Sequence, residues 1–441
     1  MIQVGQILFI LSVLVILHEF GHYITAKWFK VRVEKFYLFM DAGFSLLKKK
    51  IGDTEWGIGW LPIGGYVKLA GMIDESMDTE QMKGEPQPWE FRSKPAWQRL
   101  IIMLGGIIVN VLLAWFIYTV MYTTYGQKYI ATEKIQQNGL AFGEIGQKVG
   151  FQNGDKIVAV DGVYQPRFNR MVLDVLLGDN VEVERNGQKQ TITLTDENKA
   201  AIIGSEGKDF IQPRLSGTVV DSVVPGKEAA KAGLLKGDKI LALNGKNFTY
   251  FDEFRDQLTT LKKDSVSLTV LRNNQNITLK AKVDNEGKIG FSPKFEDKLD
   301  FEVTNKLSLF EAIPEAVNES WQLIVYNAKQ FKLILRPKTE AYKHVKSPVG
   351  IARALPDTWN WEFIWNFTAL FSIGLAFMNL LPIPGLDGGH ALFTIVEMIT
   401  GKTLSEKAAG YVQTAGMIIL LSLMALTFGK DIFELIVDKF F

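Results

Sequence analysis

The stretch VLVILHEFGHYITAKWF, residues 13–29, places His18, Glu19 and His22 inside a run that is otherwise almost entirely apolar. On a helix, residues four apart share a face, so the two imidazoles stand one turn apart with the carboxylate of Glu19 beside them. Two histidines at that spacing with an adjoining glutamate suit a zinc hydrolase. A polar seam between membrane helices would also use histidines. Ionisable groups inside a span are expensive, however, and mark functional sites by default.

The surrounding sequence agrees with a membrane setting. Of 441 residues 47% are hydrophobic and 22% charged, which leans away from an ordinary soluble protein. Four stretches of bilayer-spanning length are nearly free of charge: Val4 to Phe29, Leu100 to Tyr125, Phe363 to Leu386, and Ala408 to Gly429. The N-terminus has no basic start and no small-residue cleavage site, so the first run is expected to be retained. A net charge of +1 without a basic stripe gives no case for nucleic acid. With no cysteine, a metal site must draw on Asp, Glu and the four histidines His18, His22, His344 and His390.

Lys27, Lys30, Arg32 and Lys35 follow the first span and Arg92, Lys94 and Arg99 precede the second. The positive-inside rule then puts residues 30–99 in the cytoplasm, and the N-terminus, the C-terminus and the segment from Gly126 to about Asn360 outside. That outer segment repeats itself: GFQNGDKIVAVDG at 150–162 returns as GLLKGDKILALNG at 233–245, with 7 of 13 positions identical. Each copy leads into alternating strand-like text with an Asn-containing turn, and the pair resembles PDZ domains of the bacterial protease type. Within residues 308–335, the spacing of Trp321, Ile324, Val325, Ala328, Phe331 and Leu335 predicts a helix that lies in the membrane interface or packs on these modules.

A catalytic zinc usually takes three protein ligands and leaves one position for water. NLLPIPGLDGGH, residues 379–390, offers Asp387, with His344 and His390 as the other candidates. Pro382 and Pro384 interrupt helical hydrogen bonding and Gly385, Gly388 and Gly389 permit tight turns, so this span is predicted to unwind and double back toward the histidines. Such backbone is tolerated at membrane depth where it is buried in protein or lines a cavity. WLPIGGYVKLAG, residues 60–71, reads as a β-hairpin turning at Gly64-Gly65, with an edge that could pair with an extended peptide or merely brace the helices.

The ordered combination of the histidine motif, LPIGGYVKLAGM at 61–72, two PDZ-like repeats and NLLPIPGLDGG resembles the site-2 intramembrane metalloproteases over nearly the whole chain. The resemblance implies one Zn²⁺ held by His18, His22 and Asp387, Glu19 as general base, and Asn379 as a substrate-positioning residue. GGIIVN matches the family's Gly-x-x-x-Asn at Gly106 and Asn110, with Ile107 where many members have proline. Asn110, Gly65 and Tyr66 join Asn379 as expected substrate-binding residues.

The expected architecture is a polytopic α-helical membrane protein of four transmembrane helices with two β-rich PDZ-like domains in tandem. Residues 1–125 hold the first two helices and a membrane-associated hairpin, 126–213 and 214–297 the two modules, 298–360 an amphipathic linker, and 361–441 the last two helices. The resemblance further implies regulated intramembrane proteolysis in a bacterial inner membrane. Its substrates would be single-span proteins already trimmed outside, such as an anti-sigma factor or remnant signal peptides, with peptide termini or gating at the modules. The competing readings are a non-catalytic membrane PDZ scaffold and a metal transporter. An intact glutamate beside the histidines favours the enzyme, since transport needs no general base there.

Overall fold

The computed structural model describes residues 2–62, 64–72, 84–205, 207, 210–295, 301–402 and 406–440. The chain divides into two compact units. The first comprises residues 1–127, 305–332 and 345–441, the second residues 128–304 and 333–344.

Among the described residues, four helices of the first unit are long and apolar enough to cross a membrane: α1 (Ile2–Trp28), α2 (Ala96–Thr124), a third span Trp361–Leu380, and Gly410–Val437 within a fourth helix. At about 1.5 Å per residue, α1 reaches about 40 Å and so exceeds the hydrocarbon thickness. Glycines set its distance from α2. A Cβ on Gly105 would stand 2.6 Å from the Gly21 carbonyl oxygen, a separation only Gly–Gly backbones reach. The third span is fastened to α2 by Ser372 Oγ, which donates to the Asn110 carbonyl at 2.7 Å. It begins at Asn360, whose side chain accepts the Phe363 N–H, and stops at Leu380, two residues before Pro382. The predicted break is thus present, and beyond it lies a helix not anticipated from the sequence, Asp387–Thr400.

The helix Leu309–Ile334 packs with only part of the predicted stripe, Ile324 in a core with α2 and the third span and Phe331 against Phe377 of that span. Ala312 and Ala316, with Leu323 and Ile324, join a core built from α2 and the third span, while Trp321 stays 63% exposed. Small residues win because they let the backbone approach closely. The expected linker 298–360 is accordingly shared between the two units.

Residues 33–69 form a four-stranded sheet in the order β2-β3-β1-β4, with β1 Val33–Leu38, β2 Met40–Ile51, β3 Thr54–Leu61 and β4 Tyr66–Leu69. The expected hairpin over 60–71 is therefore corrected. β3 pairs parallel to β1 and β4 pairs antiparallel to β1, so the Gly64-Gly65 link carries the chain across β1. The true hairpin is β2–β3, formed by the segment around LLKKKIGDTEW.

In the second unit each copy of the repeat has its own core, one around Phe142, Phe151, Val181 and Phe210, the other around Leu243, Phe254, Leu268 and Val270. The shared Gly-Asp-x-Ile signature has a structural purpose. Asp155 and Asp238, each 1% exposed, take both Nε and Nη2 of Arg185 and Arg272 respectively, at 2.7 Å. A buried carboxylate is tolerable because a bidentate guanidinium meets it.

Candidate metal centre

His18 and His22 are buried on the face of α1 turned toward α2. Gly106 of α2 makes the room: a Cβ there would stand 2.5 Å from His22 Nε2 and 2.6 Å from His18 Nδ1. His22 Nδ1 lies 2.9 Å from the Ile102 carbonyl oxygen and so carries the proton, which leaves Nε2 with a free lone pair. His18 Nδ1 lies 3.1 Å from the Asn110 amide. Oxygen and nitrogen of that amide exchange by a half-turn, and Asn110 Oδ1 is buried without a partner. The half-turn lets the oxygen accept Nδ1–H, which likewise frees His18 Nε2.

Asp387 opens the helix after the Pro-Gly break, and its Oδ2 lies 3.3 Å from His18 Nε2 and 3.2 Å from His22 Nε2. The two Nε2 atoms are 3.4 Å apart. Four ligands placed tetrahedrally at roughly 2.0–2.1 Å from zinc are separated by about 3.3–3.4 Å, so this triangle has the edges such a set requires. Asp387 Oδ2 is buried yet accepts no hydrogen bond, as expected of an atom shaped for a cation. Among the described residues, these three form the one group of His, Cys, Asp and Glu side chains close enough to share a metal ion.

The loop that carries Asp387 is held from the fourth span. The Gly385 N–H donates to Gln413 Oε1 at 2.6 Å, and Gly416 packs against the Pro384 backbone. Behind the loop, Gly388 and Gly389 lie so close to the carbonyls of Leu381 and Ile383 that a Cβ would collide with them.

A pocket brings His18, Glu19, His22, Tyr66, Asn379 and Asp387 together. Val67 of β4 lines the same pocket as Glu19. Asn379 Nδ2 is 3.1 Å from His18 Nε2. His390 also borders the pocket but stands outside the triangle, whereas His344 is exposed in the other unit.

Two expected substrate-binding residues have different surroundings. Asn110 is 0% exposed and faces the His18 ring rather than the pocket. Gly65 is buried where a side chain would meet the Tyr37 carbonyl and Val15, so it lets the sheet approach α1. Ile102, Gly105, Gly21 and Gln413 were not singled out. The glycines could have been found as small residues on apolar helices, but nothing local marks a backbone carbonyl or a glutamine on a distant span.

Paired histidines, a converging aspartate and an adjacent glutamate on apolar helices define a membrane metalloendopeptidase. The chain belongs to peptidase family M50, the site-2 protease family, whose profile matches residues 6–423. Curated relatives align almost end to end. Regulator of sigma-E protease RseP of Escherichia coli (strain K12) is 28% identical over 96% of this chain and 96% of its own. Regulator of sigma E protease of Haemophilus influenzae is 28% identical over 98% and 99%. A relative from Neisseria meningitidis serogroup A, whose name carries the words zinc metalloprotease, is 27% identical over 97% and 98%.

Proposed function

We propose that this chain hydrolyses peptide bonds within membrane-spanning segments, with one zinc ion held by His18 Nε2, His22 Nε2 and an Asp387 carboxylate oxygen. The observation that carries the reading is the triangle of 3.2, 3.3 and 3.4 Å closed by a buried Asp387 oxygen that accepts no hydrogen bond among the described residues, beside Glu19. A zinc ion in a three-ligand site lowers the pKa of water to about 7 and polarises the scissile carbonyl.

The residues of the chain divide the remaining work. Glu19 accepts the proton of the attacking water at its carboxylate and delivers it to the departing amide nitrogen. The Ile102 carbonyl and the Asn110 oxygen hold both imidazoles in the tautomer that presents Nε2. The Asn379 amide stands at the pocket wall, where it can donate to the substrate backbone or the developing oxyanion.

A helical substrate hides its peptide bonds in its own hydrogen bonds and must be extended before attack. β4 ends the sheet order, and its residues Tyr66, Val67 and Leu69 line the pocket. Its open edge offers backbone groups to an added strand, which makes β4 the clamp.

The basic residues flanking α1 and α2 support an orientation with the metal centre toward the cytoplasmic side of a bacterial inner membrane and both termini outside. The two repeats are PDZ-like modules that bind peptide termini or gate access to the span. Substrates are single-span proteins already trimmed outside. The name regulator of sigma-E protease on relatives supports an anti-sigma factor among them, with remnant signal peptides a second group.

The test is zinc stoichiometry together with cleavage of a single-span substrate by purified protein. One zinc per chain with hydrolysis inside the span is the expected result. Peptide binding by zinc-loaded protein that never cleaves would establish the scaffold instead.

A further inference from the structure

Among the described residues, the β2–β3 hairpin has no partner packed over much of its length. Every residue from Leu46 to Asp53 is exposed, on both faces of the ribbon. Phe44, Leu46, Leu47 and Ile51 are 59%, 58%, 68% and 58% exposed, and Phe44 stacks on Trp60 at 5.7 Å. In water, consecutive apolar residues on an edge strand would template aggregation.

Interleaved with them are Lys48, Lys49 and Lys50, none of which forms an ion pair among the described residues. Glu55, opposite Lys50 in the register, is taken by the Tyr37 hydroxyl at 2.8 Å.

The sheet register sets the depth of the hairpin. Thr54 Oγ1, at the turn end, donates to the Val33 carbonyl, five residues beyond the end of α1 at Trp28. At the other end of β1, the Tyr37 carbonyl meets Gly65, which packs beside Val15 and Glu19 in the middle of α1. The hairpin therefore runs back along the helix. The register sets Lys50, Lys49 and Lys48 opposite Glu55, Trp56 and Gly57, and Trp56 packs on Tyr23 of α1, so the lysines stand nearer the Lys30 end of α1 than Phe44 and Trp60 do.

We propose that the β2–β3 hairpin is a binding site for the anionic headgroups of phospholipids in the leaflet at the Lys30 end of α1. Phe44, Leu46, Leu47 and Trp60 enter the boundary between acyl chains and headgroups, and the three ammonium groups meet phosphate oxygens. The open edge of β2 lies in the wet headgroup layer, because hydrocarbon would leave its backbone groups unsatisfied. This inference rests on the membrane-spanning reading and not on proteolysis.

The experiment uses full-length protein in nanodiscs and the fluorescence of Trp60, isolated as the difference between wild type and Trp60→Phe. Brominated phosphatidylglycerol is compared with brominated phosphatidylcholine at equal mole fraction. A headgroup charge near one lysine strengthens association about fivefold. Trp60 quenching at low salt is thus expected to be at least about threefold stronger with the anionic lipid, and the preference to fade at high salt. Replacing Lys48, Lys49 and Lys50 by glutamine should equalise the lipids, while replacing all three by arginine should keep the preference. Equal quenching in wild type, no quenching by either lipid, or a preference that survives the glutamine variant overturns the proposal.

Discussion

Gly106 stands where a single methyl group would come 2.5 Å from Nε2 of His22. Both histidines can turn toward Asp387 only because α2 has no side chain at that point. Gly106→Ala is expected to push the imidazoles off the triangle, lowering zinc affinity at least about tenfold while the spans still assemble. Zinc titration monitored beside thermal stability checks this, and unchanged affinity would mean that α1 yields without cost.

Glu19→Gln separates binding from chemistry. The amide cannot accept a proton, and it leaves all three proposed ligand atoms in place, so zinc content should stay at the wild-type value. Turnover is expected to fall by about a hundredfold or more. Near-normal cleavage by the purified variant would remove Glu19 from its role.

Asp387→Ala should strip the site of zinc, whereas His390→Ala and His344→Ala should leave it loaded, since neither of those histidines belongs to the triangle. Metal analysis of the three purified proteins decides the third ligand. Zinc retained in the aspartate variant and lost with His390 would reassign it.

Backbone direction along β4 distinguishes a clamp from a brace. The Ala70 N–H donates to the Arg32 carbonyl, so by alternation the N–H of Lys68 faces β1 and that of Val67 faces outward. Lys68→Pro removes a ladder donor and should lower thermal stability. Val67→Pro should leave the fold and zinc content intact but impair cleavage of a helical span much more than cleavage of a short extended peptide. Equal effects on both substrates would argue against strand addition.

The second repeat should be acid-sensitive through Asp238. Burial by itself would raise this carboxyl, but Arg272 and the Leu235 N–H hold it below its usual value. A folded pKa below the unfolded one stabilises above the unfolded value, near pH 4, and the contribution is lost as pH falls through the folded value. Protection factors of the amides in strands Lys239–Leu243 and Ser265–Arg272 of the full chain should therefore fall on acidification. In Asp238→Asn the same strands should exchange faster at neutral pH and lose most of that pH dependence.

Sequence alone determined what short-range chemistry and long apolar runs can encode. The spans followed from runs of bilayer length, the pairing of His18 with His22 from the helical period, and the break before Asp387 from two prolines that cannot continue a helix. The Gly-Asp repeat was visible because its copies share residues in order. What remained for the tertiary structure was every relation set by the direction in which a strand or helix leaves its turn. β4 pairs across β1 rather than with β3 because register depends on which faces must be buried against α1, and local turn signals do not carry that information. The positions of Asn110 behind His18 and of Gln413 on the Gly385 amide arise from packing between separate spans, where only three-dimensional proximity shows which polar groups satisfy one another.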